Sequence, residues 1–135
     1  MFFKKKYIMI KKFNEYNSMD DYNSVMNKIR NISNDNYYYD YDISDGENRN
    51  LADDLVYMDD ATYNILSDKF KSLGYSDISR DAGYCISAKN DWVNIHVYSC
   101  SDEWFIVIAH GHYKCDQVEG VIKLIDDLQD CIDGK

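Results

Sequence analysis

The chain contains no proline, and glutamate is scarce: of 24 acidic residues, 20 are aspartate. Average usage would place roughly seven prolines in a chain of this length. Residues with AT-rich codons (Asn, Ile, Lys, Tyr, Asp) fill the space, so the skew reads as genome composition before it reads as function. Glycine is thin too, and Gly46, Gly74, Gly83, Gly111, Gly120 and Gly134 form no Walker or G-x-G-x-x-G pattern, which disfavours nucleotide binding. No apolar run approaches the roughly 18 residues of a membrane span. The longest, Trp104 to Ala109, has six. Tyr7 to Ile10 is too short for the h-region of a secretory signal, which argues against secretion. The cysteines, at positions 85, 100, 115 and 131, form no C-x-x-C pair and read as reduced cytosolic thiols. Basic residues number 15 and the formal charge is −9, so direct binding to a nucleic acid backbone lacks its usual drive. The expectation is a soluble, cytoplasmic protein without membrane contact or cofactor, whose acidity suits solubility or a basic partner.

What remains is enough for one domain, at 135 residues and 15.9 kDa. Residues 1–16 read as a basic tail with a second potential start at Met9, and 17–135 as a single α+β domain. Ser18 and Asp21 suit a capping box, and Met19, Tyr22, Val25, Met26, Ile29 and Ile32 recur at helical spacing, predicting an N-terminal helix over 18–32. A second helix is expected over 60–73, with Ala61, Ile65, Leu66, Phe70 and Leu73 on one face, Asp59 and Asp60 at its start and Gly74 as its stop. A third is expected over 116–132, capped by Asp116 with Glu119, with Val118, Val121, Ile122, Ile125, Leu128 and Ile132 as its apolar stripe. Residues 33–50 form a Tyr- and Asp-rich segment. The spacing of Tyr37, Tyr39, Tyr41 and Ile43 allows a short strand, with an acidic loop as the alternative. An EF-hand template starting at Asp40 fails, because its Gly and Glu positions hold Asp45 and Leu51.

Between 83 and 112, the turn signals Asn90-Asp91 and Ser101-Asp102 separate three alternating runs, predicting a three-stranded antiparallel meander. Two-residue loops would set Ala88 against Val93, Ile86 against Ile95 and Tyr84 against Val97. Across the second turn they set Val97 against Ile106, Ile95 against Ile108 and Val93 against His110. The β-branched residues then share one face, which the helices should cover in a two-layer fold. Cys85, Ser87, Asn94, His96, Tyr98, Phe105, Val107 and Ala109 share the other face. That face is either an interface or lies beneath the N-terminal helix or the Tyr37–Ile43 segment.

The helix, meander, helix order is similar to that of double-stranded RNA-binding domains over about half the chain. That family reads phosphates with lysines at the start of its last helix. Here Asp116, Gln117 and Glu119 stand at those positions, so the activity does not carry over. The string SDEWFIVIAHGHYKCDQVEGVIKLIDD, with its Trp104, Tyr113-Lys114-Cys115-Asp116-Gln117 and Glu119-Gly120, resembles the end of small uncharacterised tailed-phage proteins over about a fifth of the chain. This implies an origin rather than an activity.

The candidate chemistry is sparse. Cys85 and His96 should be direct cross-strand neighbours, the minimum for a thiol nucleophile with an adjacent base. An orienting group and oxyanion donors are not evident, and a structural pair is the simpler reading. His110, His112 and Cys115 hold zinc donors at close spacing if one strand carries both histidines, with Cys131 or Asp116 as a fourth ligand. Asp53-Asp54, Asp59-Asp60 and Asp126-Asp127 are adjacent pairs whose side chains point apart on a helix. The leading expectation is therefore a non-enzymatic, phage-derived interaction protein. It would engage a basic host protein through Tyr37, Tyr39, Tyr41, Asp40, Asp42, Tyr98 and Phe105, in one version as a nucleic-acid mimic. The alternatives are a Cys/His hydrolase or zinc-binding protein, and a self-associating structural subunit.

Overall fold

The computed structural model of the chain describes residues 19–32, 35–40, 54–108 and 111–134, with residues 19–21, 39, 40 and 111 described by their backbone only. The N-terminal tail, Ser18, Tyr41, Asp42, Ala109 and His110 lie outside the described residues. The order is α1 (Met19–Arg30), β1 (Tyr38–Asp40), α2 (Asp60–Ser72), β2 (Ser76–Asp81), β3 (Cys85–Lys89), β4 (Asn94–Ser99), β5 (Trp104–Ile108), β6 (Gly111–Cys115) and α3 (Val118–Ile132). The fold is α+β as expected, but the meander is longer. Five consecutive strands, β2 to β6, pair antiparallel with their neighbours, and the short β1 joins beside β6 to give the order β1-β6-β5-β4-β3-β2. The resemblance in order to double-stranded RNA-binding domains ends here, since five strands rather than three stand between α2 and α3.

Two strands escaped the sequence reading for different reasons. β2 (SDISRD) is an edge strand with a register shift between Ser76 and Ser79, and Asp77 within it has φ +52°, so no clean alternation marks it. β6 follows β5 in one apolar run, EWFIVIAHGH, which alternation alone reads as a single strand. Ile108 in fact pairs with Gly111, so the chain turns back between them.

The β4–β5 register is the expected one, with Val97 opposite Ile106 and Ile95 opposite Ile108. The β3–β4 register is displaced by two residues: Ile86 faces Val97, Ala88 faces Ile95 and Ser87 faces His96. Asn90 causes the displacement. Its side-chain oxygen accepts from the backbone N–H groups of Trp92 and Val93, which makes the turn four residues long and tucks both apolar side chains into the core. A shift of two preserves the face of every side chain. Ile86, Ala88, Ile95, Val97, Ile106 and Ile108 are therefore all buried on the face that the helices cover.

α3 brings the most buried side chains to that cover. Val121, Leu124, Ile125, Leu128 and Ile132 recur at three and four residues and are buried. Each such side chain contributes about 1.5–3 kcal/mol on leaving water. Its N-cap is Gln117, without a side-chain hydrogen bond, in place of the expected Asp116 box. α2 is capped by Asp59, which accepts from the Thr62 N–H, and it ends at Gly74 with φ +86°. Leu66 and Phe70 are its buried anchors, whereas Ile65, expected on the same face, is 48% exposed. The buried stripe falls on Leu66, Ser67 and Phe70, and Ile65 lies to one side of it. α1 packs on α3 through Met26 and Ile29, and Tyr22 stacks on Trp92 with ring centroids 6.0 Å apart. α1 thus joins the helical layer, and β1 extends the sheet edge. Neither covers the opposite face. A strap over Asp54–Asp59 crosses the sheet end, with the Val56 N–H donating to the Ser99 carbonyl and the Met58 N–H to that of Gly83.

Candidate functional site

The face of the sheet that is helix-free among the described residues carries the chemistry. β3 sends Cys85 and Ser87 to it, β4 sends His96 and Tyr98, β5 sends Phe105 and Val107, and β6 sends His112. An aromatic series crosses these strands. Tyr84 stacks on Tyr98 at 6.4 Å, Phe105 meets Tyr98 edge-on at 6.4 Å, and His112 lies 4.5 Å from Phe105. Phe105 and His112 are buried, although none of the described helices lies on this side.

Cys85 and His96 are not directly opposite. Cys85 faces Tyr98, and His96 faces Ser87, because of the Asn90 turn. They nevertheless belong to one cluster, because β2 delivers Asp81 opposite Cys85. Among the described residues, ligand atoms of Asp81, Cys85 and His96 all lie within 4.8 Å of one another. Ser87 sits between them. Its hydroxyl donates to Asp81 Oδ2 at 2.6 Å and lies 3.0 Å from His96 Nδ1 and 4.0 Å from Cys85 Sγ.

This arrangement is poorly suited to nucleophilic catalysis. Burial pushes the Cys85 thiol up to about 11, outweighing the hydrogen bond from Ser87, so the thiolate is rare at neutral pH. The Ser87 proton points to Asp81, so the histidine is not placed as its base. Cys85 and Ser87 lie within a ladder that engages the neighbouring backbone N–H groups, leaving no pair of oxyanion donors evident.

The expected zinc set of His110, His112 and Cys115 does not assemble. His110 lies outside the described residues. His112 pairs with Val107 on the helix-free face, while Cys115, three residues further along β6, pairs with Trp104 on the helical face. Alternation along one strand separates them. Of the expected binding surface, Tyr37 is 2% exposed, donates a hydrogen bond to Asp127 and packs edge-on against Tyr113; it is a core residue. Phe105 is buried as well, at 4% exposure, and Tyr98 is half-buried. The backbones of Tyr39 and Asp40 pair with Tyr113 and His112. Tyr41 and Asp42 lie outside the described residues.

A second feature lies where β4 ends and β5 begins. Asp54, Asp102, Glu103 and Asp116 gather around Cys100 and Cys115: the Ser101 N–H donates to the Asp54 carbonyl, the Cys100 N–H to that of Glu103, and Trp104 pairs with Cys115. Four carboxylates elsewhere have cationic partners, in Lys69–Asp126, Arg80–Asp60, Lys89–Asp77 and Lys123–Asp127. No ion pair reaches the four at this end among the described residues. The thiols there register the local potential. Burial first, then Glu103 and Asp54, push Cys100 up to about 11, and burial, then Asp116 and Glu103, push Cys115 up to about 12. The sequence carries a signal for this end, since Asp102 lies in the predicted Ser101-Asp102 turn and Glu103 follows it; Asp81 carries none, because no alternation marks β2.

No helix among the described residues is long and apolar enough to cross a membrane. No family model, curated protein or solved structure matches the chain.

Proposed function

We propose that the protein is a small, non-enzymatic interaction protein that binds a basic protein partner through the acidic end of its sheet. The observation that carries this reading is the set of four carboxylates, Asp54, Asp102, Glu103 and Asp116, at one end of the sheet, where no ion pair reaches them among the described residues. A concentrated negative field steers a cationic partner and is relieved when that partner docks. The same field repels nucleic acid phosphates, which favours a protein partner and fits a mimic that occupies the basic groove of a nucleic-acid-binding protein. The tailed-phage resemblance of the C-terminal segment supports a phage origin and action in the host cytoplasm. The poor fit of Cys85, Ser87 and His96 to nucleophilic catalysis supports a non-enzymatic role.

The test is capture from host lysate at low and high salt, with the chain and with a variant combining Asp54→Asn, Asp102→Asn, Glu103→Gln and Asp116→Asn. A basic nucleic-acid-binding protein should be retained at low salt, released at high salt and lost with the variant. Equal capture by the variant, or no capture by either, refutes the reading; a discrete homo-oligomer without foreign partner would replace it with self-assembly.

A further inference from the structure

We propose that Asp81, Cys85 and His96 form a binding site for a divalent transition metal of the zinc class on the helix-free face of the sheet. The inference is independent of the partner reading, because none of the three belongs to the four carboxylates of the acidic end. Carboxylate oxygen, thiolate sulfur and imidazole nitrogen are the three donor types of protein zinc sites. Here they come from three adjacent strands and lie within 4.8 Å of one another.

A tetrahedral ion with bonds of about 2.0–2.3 Å holds its ligands about 3.3–3.8 Å apart, so the three groups must close by at most about 1.5 Å. Asp81 is the most exposed of the three and the one with room to move, its carboxylate held among the described residues only by the hydroxyls of Ser87 and Ser79. It is exposed and ends β2 at a turn in which Ala82 and Gly83 both have positive φ. Cys85 and His96 are held by the β3–β4 ladder, with Tyr98 directly opposite Cys85.

Ser87 now holds the donors together: its hydroxyl donates to Asp81 Oδ2 and contacts His96 Nδ1, while Asp81 Oδ1 accepts from Ser79 at 3.5 Å, and an entering ion takes the place of the Ser87 hydroxyl between the carboxylate and the imidazole. Three protein ligands leave the fourth position to water or to an external donor, as in an exchangeable site rather than a closed structural one. Metal binding displaces the Cys85 thiol proton to solvent and forms one metal–sulfur bond, with no change in oxidation state.

The experiment uses the full chain, reduced and treated with chelator, titrated with cobalt(II) and then zinc(II) alone. One equivalent of cobalt should bind with a thiolate-to-cobalt charge-transfer band and tetrahedral d–d absorption, and zinc should displace it. Cys85→Ser should abolish the charge-transfer band. His96→Gln and Asp81→Asn should weaken binding by more than the roughly 10–100-fold cost of losing an outer hydrogen-bond partner. Cys100→Ser and Cys131→Ser should leave the band in place. Because Cys85→Ser alters a buried position, the deciding variants are His96→Gln and Asp81→Asn, on side chains that are not fully buried. If they melt like the parent and have lost both cobalt binding and the rise in melting temperature with zinc, the site stands. Absence of saturable cobalt binding to the parent overturns the proposal, as does a band that survives in all three ligand variants.

Discussion

The Tyr113 hydroxyl, on β6, donates a hydrogen bond to the backbone carbonyl of Ile29, 84 residues earlier in the last turn of α1. The bond is buried and joins the sheet to a helix that otherwise packs chiefly on α3. It satisfies a carbonyl of the kind that a helix end leaves without an intrahelical partner. Tyr113 also meets Tyr37 edge-on, so one ring anchors both α1 and the chain entering β1.

Tyr113→Phe keeps the ring and removes the hydroxyl. The Ile29 carbonyl still accepts from the Ile32 N–H, so it is not left bare, and the expected cost is about 1 kcal/mol. Urea unfolding with an unchanged m-value checks it. A variant as stable as the parent would show that the bond contributes nothing net.

Gly120→Ala should destabilise, against the ordinary preference of about 1 kcal/mol for alanine in a helix. A β-carbon at Gly120 would stand 2.7 Å from the Asn36 carbonyl oxygen and 2.9 Å from Cys115 Cβ. Backbone and a buried neighbour must shift, at an expected net cost of about 1–3 kcal/mol. Amide exchange in β1 and at the start of α3 should quicken as well, and a rise in melting temperature would contradict the close approach.

Tyr75→Phe should stabilise the protein. The Tyr75 hydroxyl is buried without a hydrogen-bond partner among the described residues, and burial pushes the phenol well above its usual range. The ring itself packs on Phe70 at 5.0 Å and is retained in the variant. Removing an unsatisfied buried hydroxyl returns about 1 kcal/mol or more. Thermal unfolding decides, and a loss of stability would mean that the hydroxyl has a partner in solution.

Stability should fall on the alkaline side through Cys115. Its folded value is raised to about 12, whereas an unfolded thiol titrates near 8.5. Between these values the unfolded chain has released a proton that the folded chain retains. The contribution is therefore fully present below about pH 8.5 and is lost as pH rises through the folded value, at about 1.4 kcal/mol per pH unit. Cys115→Ala should flatten the decline by that slope in unfolding curves taken from pH 8 to 11, whatever its effect at neutral pH. Parallel declines for parent and variant would refute the assignment.

The helices and the two faces of the sheet were legible in the residues themselves, with Ile65 as the exception. Spacing of three and four placed Met26, Ile29, Leu66, Phe70, Val121 and Leu128 toward a core, and alternation separated Ile95 and Val97 from His96 and Tyr98. Even the misjudged β3–β4 register did no damage to these assignments, because a displacement of two leaves every side chain on its own face. The strand count was not legible. β2 is a polar edge strand with a bulge, and the reversal before Gly111 lacks the Asn-Gly or Asp-Gly signature of a tight hairpin.

The candidate sites divide along the same line. The placement of Cys85 and His96 on one face follows from local alternation, which is written residue by residue. That Asp81 completes the group, that Ser87 lies at its centre and that His112 and Cys115 are parted depend on where the chain reverses and which strands become neighbours. The acidic end depends on the same decisions, since Asp54 reaches Asp102, Glu103 and Asp116 only through strand pairing. The sequence by itself determined which side of an element each residue occupies, because that follows from the helical and strand periods. Only the tertiary structure decided which residues meet, because those meetings require closing loops whose cost and geometry no local period encodes.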